Sequence, residues 1–383
     1  MKKWTKKEED YLRDNASQPK EFLSIQLNRS IDSVERKLRR LGVYQKKTIE
    51  ITPSSVRDDI NKIVEKQKES ENAKRVKVLA SELLKAEKER DAFISVGGVE
   101  TYTIKSKKEF NGKSKATAIV LASDWHYEEP VKESQVNGLN KYDTVIAKER
   151  IEEFFRVTAQ LIKIHQREYD IENLILALLG DFISGSIHDD LMESNSIQPT
   201  VAIYEVQCLI ASGIKYLLKE TDVNLVIPCS AGNHSRITEK QRVSTEFGNS
   251  LEILMYRQMK DYFESEPRVK FIINDSYLTY VNIGKFTIRL SHGHALKFSG
   301  GIGGLFIPAF KAISQWNKSK KADYDFFGHF HQMKDGSNFV TNGSLIGYSA
   351  YAVKIKADYE KPTQAFMILD AQRGLEVTRK ITL

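Results

Sequence analysis

Cysteine and long hydrophobic runs are both scarce in this sequence. Only two of the 383 residues are cysteines, Cys208 and Cys229, which excludes a disulfide framework and favours a reducing compartment. Both lie in apolar segments, so we expect buried, unreactive thiols. No run approaches the roughly 20 apolar residues that cross a bilayer, and the N-terminus lacks the apolar core of a signal peptide. These absences predict a cytoplasmic protein with no membrane partner.

Positive charge is concentrated in the N-terminal third of the chain. Residues 1–115 contain 28 Lys+Arg and 19 Asp+Glu, a net of +9, whereas the remaining residues carry a net of −2. This asymmetry predicts a polyanion-binding part attached to a near-neutral body. A solvated basic surface without a partner is the alternative, and charge alone does not decide between the two. The length indicates two or three domains.

Residues 1–45 have the pattern of a small domain of three short helices. Thr5 can cap the first helix, with Glu8 completing a capping box, and Pro19 can open the second. The third helix is expected from about residue 31 to residue 41. Its polar face carries four cations, as a helix in the major groove of DNA requires: Arg36, Lys37, Arg39 and Arg40.

This segment resembles a Myb/SANT-like helix-turn-helix domain. The likeness lies in WTKKEEDYL and in NRSIDSVERKLRRLGV, although Trp4 alone represents the usual tryptophan set of that family. The resemblance implies DNA as a partner through the four cations of the third helix. Domains of this kind also bind proteins, so a protein partner, or no partner, is the alternative.

Residues 46–115 change in composition and are rich in Lys, Glu, Ala and Arg. Apolar residues recur at irregular helical spacing, which predicts one or two amphipathic helices in a charged linker. Such a linker is a spacer or an element through which the chain could form homo-oligomers. The heptad pattern is too broken to predict a coiled coil.

Residues 116–383 alternate strand and helix patterns and then become rich in strands. The predicted helices lie at 142–165, 201–218 and near 247–263. The predicted strands lie at 116–122, 173–179, 223–228, 269–273, 277–283, 286–291, 324–327, 338–342 and 364–369. This order predicts an α/β domain with two packed sheets flanked by helices.

Polar turns follow five of these strands and contain six of the eight histidines. The turns are Ser123-Asp124-Trp125-His126, Leu179-Gly180-Asp181, Ala231-Gly232-Asn233-His234, Ser291-His292-Gly293-His294 and Phe327-Gly328-His329-Phe330-His331. Metals and ligands collect at the carboxyl ends of strands. Side chains two residues apart in extended backbone point the same way, so the Asp-Trp-His and His-Phe-His turns should each converge on one site.

The ligand types indicate which metals such a site would bind. Imidazole and carboxylate groups suit manganese, iron and zinc better than magnesium or calcium. No cysteine lies in these turns, which argues against a structural zinc site. One carboxylate shared by two ions would place them about 3.5–4 Å apart, the spacing of two-metal phosphoryl chemistry.

The series DxH, GD, GNH, HG and GHxH, in this order over residues 116–345, resembles the calcineurin-like metallophosphoesterase superfamily. The resemblance implies a four-layer αββα sandwich that holds two divalent ions, manganese first, with iron or zinc as alternatives. It implies that Asp124, His126 and His331 hold the first ion, that Asp181 bridges, and that Asn233, His292 and His329 hold the second. It also implies that His234 protonates the leaving oxygen or stabilises the transition state. A water shared by two such ions is hydroxide near neutral pH and can attack the phosphorus.

The sequence departs from the family pattern at two turns. The family often has a second carboxylate in GDxxD, but Ser184 stands at that position, which puts the support of Asp181 in question. Many members continue GNH with Glu or Asp, whereas this chain continues with Ser235 and Arg236. The Arg236 guanidinium is a candidate contact to a substrate phosphate, or else forms a surface salt bridge.

Two further histidines are candidate substrate contacts. His188, in a polar loop beyond the GD turn, contacts substrate or lies on a surface loop. His294 lies behind the ligand His292 or makes an extra contact to metal or phosphate. His165, within a predicted helix, and Trp125, between two ligands, are expected to be structural.

The basic N-terminal segment favours DNA among the phosphoesters that such a domain could cleave. The leading hypothesis is a DNA-directed phosphodiesterase, a nuclease similar in its catalytic half to double-strand-break-repair nuclease subunits. One alternative is a phosphomonoesterase or nucleotide phosphodiesterase that the N-terminal domain recruits to DNA or to a partner. Another is a DNA-binding regulatory protein with a residual metal site, against which the complete ligand set argues.

Overall fold

The computed structural model describes residues 3–44, 77, 81, 102–104, 112–187, 189–297 and 304–383. The chain divides into two compact units, residues 1–88 and 89–383. Most of the expected linker, 46–115, lies outside the described residues. Within it, residues 77 and 81 are helical and residues 102–104 form a strand.

The first unit contains three short helices, α1 (Lys6–Asp14), α2 (Lys20–Gln26) and α3 (Ile31–Arg40). The capping box at the start of α1 is present, because Glu8 N donates to Thr5 Oγ1 at 3.3 Å and Thr5 N donates to Glu8 Oε2 at 2.8 Å. The helices share a small core in which one or two apolar residues of each are buried: Leu12, Leu23, Val34 and Leu38.

The four cations of α3 have different surroundings within this unit. Lys37 forms an ion pair with Glu9, and Arg39 pairs with Glu35 at 2.8 Å. Arg36 and Arg40 are exposed. Lys37 and Arg39 therefore already pair with carboxylates of their own unit, which makes them weaker candidates for contacts to DNA phosphates.

The second unit is built on two sheets. The strands of the first sheet are β2 (Ser114–Ala122), β3 (Tyr169–Leu178), β4 (Asn224–Cys229), β5 (Val269–Ile273), β11 (Thr363–Asp370) and β12 (Gly374–Thr382). Their order is β12-β11-β2-β3-β4-β5. Strands β2 to β5 run parallel, and β11 is antiparallel to both of its neighbours. The carboxyl ends of β2, β3 and β4 therefore meet along one edge of the sheet.

The second sheet has the order β1-β6-β7-β8-β10-β9. Its strands are β1 (Tyr102–Ile104), β6 (Thr279–Ile283), β7 (Phe286–Ser291), β8 (Tyr324–Phe327), β9 (Lys334–Asp335) and β10 (Phe339–Thr341). Strand β1 pairs in parallel with β6. Part of the segment expected to be a helical linker is thus an edge strand of this sheet.

The two sheets pack face to face with helices on their outer sides. The helices are α4 (Thr144–His165), α5 (Asp189–Ser194), α6 (Pro199–Glu220), α7 (Leu251–Tyr262), α8 (Phe306–Trp316) and α9 (Ala350–Ile355). Alternate residues of β2 separate the layers: Ile119 and Leu121 enter the core between the sheets, whereas Ala118 and Val120 face α4, α6 and α7. Helix α8 covers the second sheet through Ala309 and Ile313. The prediction of two packed sheets flanked by helices is confirmed.

Helix α6 accounts for two differences from the sequence-based expectations. By length and composition alone it could span a membrane, although no such segment was expected. Its apolar side, which includes Val206, Ile210 and Ile214, belongs to the core of the domain. Cys208 lies on the opposite side and is exposed, so the prediction of a buried thiol is wrong there, whereas Cys229 is buried as predicted.

Candidate metal centre

Backbone hydrogen bonds hold the polar turns against one another. Asp124 N donates to Gly180 O at 3.0 Å, and Trp125 N donates to Asp181 O at 2.9 Å. A Cβ atom on Gly180, whose φ is +86°, would lie 2.2 Å from the backbone nitrogen of Gly232. Only glycine permits this close approach of the turns after β3 and β4.

Five of the seven candidate ligands have a left-handed rather than an extended backbone. The φ angles are 56° at Asp124, 48° at His126, 54° at Asp181, 73° at His329 and 55° at His331. The two i, i+2 pairs therefore do not converge through extended backbone, and that part of the prediction is wrong. Each such angle costs about 1–3 kcal/mol in a residue with a Cβ atom, and such strain concentrates at functional sites.

The structure brings Asp124, His126 and His331 into one cluster. The Nε2 atoms of His126 and His331 are 3.2 Å apart, and His331 Nε2 lies 3.5 Å from Asp124 Oδ1. Asp124 and His126 are buried. These are the three residues that the family resemblance assigns to the first ion.

A second cluster contains Asp181, His292 and His329. His292 Nε2 lies 2.9 Å from Asp181 Oδ2, 3.2 Å from His329 Nδ1 and 3.2 Å from Asn233 Oδ1. A carboxylate oxygen of Asp181 also lies within 4.8 Å of a ring nitrogen of His126. It therefore adjoins both clusters, which is the position a bridging carboxylate needs.

Hydrogen bonds at the Nδ1 atoms of His292 and His126 determine which ring nitrogen faces the clusters. His292 Nδ1 donates to the Leu179 carbonyl at 2.7 Å. His126 Nδ1 lies 2.8 Å from Ser184 Oγ, and this hydroxyl donates to Glu129 Oε2, so it accepts from the ring. Both rings therefore present Nε2 to the clusters, and a fixed tautomer of this kind is usual for a metal-binding histidine.

The chemistry of the donor set fits two divalent cations. Burial lowers the pKa of His331 to about 4 and holds the pKa values of His126 and His329 well below the usual value. These imidazoles are therefore neutral at pH 7, the form that binds metals. The neutral His126 and His331 rings face each other with their Nε2 atoms 3.2 Å apart, an arrangement that suits a cation bound by both nitrogens. Imidazole and carboxylate together suit manganese, iron or zinc.

Asp181 adds a second reason to expect a cation. Its Oδ2 atom is buried and lies 2.9 Å from His292 Nε2, and it accepts no other hydrogen bond among the described residues. Burial lowers the pKa of His292, but the adjacent Asp181 carboxylate outweighs this and raises the pKa to about 10. The buried Asp181 carboxylate is therefore stabilised by positive charge beside it, and a divalent ion provides more positive charge than an imidazolium does.

Ser184 supports two histidines rather than Asp181. Its carbonyl accepts from His234 Nδ1 at 2.9 Å, while its hydroxyl holds His126. Asp181 is instead held through Oδ1, which accepts from His234 N at 2.8 Å. The absence of a carboxylate at position 184 therefore does not leave Asp181 unsupported, because a backbone donor replaces it. A ring nitrogen of His234 also lies within 4.8 Å of potential ligand atoms of His126 and Asp181.

A buried polar network behind Asp124 was not identified from the sequence. Ser123 Oγ donates to Asp124 Oδ2, and Asn342 Nδ2 donates to Ser123 Oγ at 2.9 Å. Gln364 Oε1 accepts from Ser123 N and from Asn342 Nδ2. The one sequence signal for this network was the polar Gln364 at the start of an otherwise apolar predicted strand, 364–369.

The three candidate substrate contacts have different positions. Arg236 donates to the Asn233 carbonyl at 2.6 Å and to the Thr238 carbonyl at 3.2 Å, so its guanidinium braces its own loop. His294 is buried, with its ring centroid 5.4 Å from that of His292 and its Nε2 atom 3.3 Å from Glu246 Oε1. His188 lies outside the described residues. A role for any of the three in substrate binding stays a prediction.

The two aromatic residues that were expected to be structural lie in packed surroundings. Trp125 is fully buried and meets Phe182 edge to face at 4.7 Å between ring centroids. His165, at the end of α4, stacks on Phe366 at 5.8 Å.

No protein-family model matches the chain, and no curated protein matches it. Among solved structures, a hypothetical protein from Pyrococcus horikoshii is 12% identical over 70% of this chain and 88% of its own, with a TM-score of 0.33. Vps29 from Chaetomium thermophilum is 11% identical over 69% of this chain and 95% of its own, with a TM-score of 0.24. A dimetal phosphatase from Danio rerio is 9% identical over 70% of this chain and 98% of its own, with a TM-score of 0.32. Likenesses this distant do not decide fold or activity, for which the residues themselves provide the support.

Proposed function

We propose that residues 116–383 form a metal-dependent phosphoric ester hydrolase of the calcineurin-like metallophosphoesterase kind. Asp124, His126 and His331 would hold one ion, and Asn233, His292 and His329 the other. The single observation that carries the proposal is Asp181, a buried carboxylate adjoining both histidine clusters. That arrangement serves a paired-cation site and has no evident use in a purely structural one.

The reaction requires groups that bind and orient the phosphate ester and a group that donates a proton to the leaving oxygen. When bound, the two ions would supply an activated water and neutralise charge on the phosphate. His234, fixed through Nδ1 on the Ser184 carbonyl, would present its opposite nitrogen to the leaving oxygen and donate a proton to it. The turns after β3 and β4 pack without a gap at Gly180 and Gly232, which keeps the donors in a fixed arrangement before substrate arrives.

Hydrolysis of a model phosphodiester provides the direct test. Metal-free protein supplied with Mn²⁺ is expected to bind two ions per chain and to hydrolyse bis(p-nitrophenyl) phosphate, because both clusters are complete. The measurements are metal content and initial rates with Mn²⁺, Fe²⁺ or Zn²⁺, with chelated protein as the control. Fewer than one bound ion per chain would favour the DNA-binding regulatory alternative, and metal binding without hydrolysis of diester or monoester would contradict the proposal.

We further propose that the natural substrate is DNA and that Mn²⁺ is the working ion, so that the protein acts as a nuclease. Support comes from the net charge of +9 in residues 1–115 and from the exposed Arg36 and Arg40 on α3. A helix with exposed cations can contact phosphates along a groove. Cleavage confined to small phosphate esters would instead indicate the phosphomonoesterase or nucleotide phosphodiesterase alternative. Association through residues 46–115 and a cytoplasmic location also stay predictions.

Charge reversal on α3 separates DNA recruitment from catalysis. The double variant Arg36→Glu/Arg40→Glu is expected to weaken DNA binding and to reduce the salt dependence of binding by about one unit for each phosphate that α3 no longer neutralises. The kcat/KM for bis(p-nitrophenyl) phosphate should not change, because that substrate needs no contact with α3. Binding is measured by fluorescence anisotropy over a range of salt concentrations.

A matched pair of exposed cations on the other unit provides the control. Lys219→Glu/Lys260→Glu changes the net charge by the same amount on α6 and α7. It is expected to reduce DNA binding less than the α3 variant does. An equal reduction in the two variants would show that only total charge matters and would contradict a specific role for α3.

A further inference from the structure

Glu252 is a buried carboxylate that joins two of the candidate ligand turns. It lies in the first turn of α7 and is fully buried. Its Oε1 atom accepts from Phe182 N at 2.8 Å, and its Oε2 atom accepts from Gly232 N at 2.8 Å. Ser235 Oγ also donates to Oε2, at 3.0 Å. Three donors from two separate turns thus meet on one side chain.

The two bound amides are adjacent in sequence to candidate ligands. Phe182 directly follows Asp181, and Gly232 directly precedes Asn233. A shift of either amide would therefore move a ligand by a similar distance. Both amides donate to the same side chain at 2.8 Å, so their separation is fixed by its two oxygen atoms.

The turns are in direct backbone contact where Glu252 holds them. A Cβ atom on Gly232 would lie 2.1 Å from Asp181 Oδ1 and 2.2 Å from Asp181 N. No side chain can therefore fill the space between the turns and fix their separation. His234 links the turns directly, since its N donates to Asp181 Oδ1 and its Nδ1 donates to Ser184 O. The carboxylate of Glu252 adds a link from α7 that is bonded to both turns.

Helix α7 is itself fastened to the second of these turns. Leu251 N donates to Ser235 O at 2.9 Å, and the hydroxyls of Ser235 and Ser250 lie 2.8 Å apart. Ser250 also caps the helix, since its side chain accepts from Ile253 N. The start of α7 therefore cannot move independently of the turn, and it holds Glu252 in one place.

We propose that Glu252 is a positioning residue for the metal centre. By holding the amides of Phe182 and Gly232, it fixes the separation of Asp181 from Asn233 and so sets the affinity of the site for divalent cations. This inference rests on the proposed function. It concerns metal binding directly, so it can be tested without an enzymatic assay.

The variant Glu252→Gln isolates the effect, because it keeps the size of the side chain but has one acceptor oxygen. Its amide NH₂ would face one of the two backbone N–H groups, and two donors cannot bond each other. Removal of a residue that supports metal ligands typically weakens affinity or activity by roughly 10–100-fold. We expect a decrease of that size in Mn²⁺ affinity, measured by titration calorimetry on metal-free protein, with diester hydrolysis recovering at excess Mn²⁺.

A buried residue away from the centre controls for general destabilisation. Thr158→Val on α4 removes a buried hydroxyl that donates to the Phe154 carbonyl at 2.7 Å. It is expected to lower Tm and to leave Mn²⁺ affinity unchanged. Wild-type Mn²⁺ affinity in folded Glu252→Gln protein would overturn the proposal, as would an equal decrease of affinity in Thr158→Val.

A milder variant keeps the inference testable if Glu252→Gln does not fold. Ser235→Ala removes one of the three donors to Glu252 and should weaken Mn²⁺ binding in the same direction by a smaller factor; unchanged binding in Ser235→Ala would overturn the proposal. Wild-type protein that binds two ions but hydrolyses no phosphoester would defeat the proposed function and leave the role of Glu252 standing. Wild-type protein that binds no Mn²⁺ would defeat both.

Discussion

Asp181→Asn is expected to lower Mn²⁺-dependent phosphodiester hydrolysis by about three orders of magnitude, equivalent to roughly 4 kcal/mol of transition-state stabilisation. Asp181 adjoins both histidine clusters, and its buried Oδ2 atom lies 2.9 Å from Nε2 of His292, which is itself a candidate ligand. Asparagine has almost the same shape, but it has a single acceptor oxygen and no charge. It cannot be shared between two ions or balance them, so we expect metal content to fall as well.

Metal binding and stability should separate in this variant. Asparagine removes a buried charge that is costly to desolvate, so the metal-free protein need not become less stable. The rise in Tm that Mn²⁺ produces in wild-type protein should largely disappear, because a ligand stabilises only in proportion to its affinity. The exposed Asp261 on α7 provides the control, and Asp261→Asn should behave as wild type. Near-normal hydrolysis by Asp181→Asn would contradict a bridging role.

His234→Ala is expected to lower kcat by about 10²–10⁴-fold, the range for removal of a general acid. The His234 ring is held by the Ser184 carbonyl at 2.9 Å and packs perpendicular to His126 at 4.8 Å between centroids. The same position would also allow it to bind an ion. If it is a proton donor, Mn²⁺ affinity should stay within a few-fold of wild type while kcat falls.

Leaving-group dependence gives an independent test of this role. The defect should be smaller for a phosphodiester whose leaving group is already a good anion, because such a group needs no proton, and larger for an alkyl leaving group. His165→Gln, at the end of α4 and stacked on Phe366, is the matched control and should retain wild-type kcat. A parallel decrease of Mn²⁺ affinity and kcat in His234→Ala would indicate a ligand rather than an acid.

Much of the sheet structure could be predicted because the inner strands β2, β3, β4 and β11 contain continuous apolar runs. Strands β5, β7 and β8 have the predicted boundaries. Strand β12 was missed because few of its residues are buried and its pattern is that of a polar edge strand. Strand β1 was predicted to be linker, because its pairing depends on β6, which lies far along the chain. Both strands are defined by pairing with another strand, β11 or β6, rather than by an apolar pattern of their own.

The centre was predictable to the level of which side chains meet, and less so in how they are held. The five short motifs contain every member of the three His/Asp groups that occur among the described residues. The left-handed backbone of five of them, the two hydrogen bonds of Ser184 to histidines and the contact of Glu252 from α7 were not predicted. Each depends on a partner distant in sequence, whereas a motif records only the neighbours of a residue along the chain.

If these side chains bind metal as proposed, their left-handed backbone makes metal affinity and thermal stability competing demands on the same residues. Glycine adopts such angles without the steric cost that Asp and His bear. At His331, where φ is 55° and the side chain is 23% exposed, a mutation to glycine would relieve strain while removing a proposed ligand. Directed evolution for heat resistance in the presence of a chelator should therefore enrich glycine at this position, whereas selection with Mn²⁺ present should retain histidine. Loss of activity in a relative could then be an adaptive gain in stability rather than neutral decay.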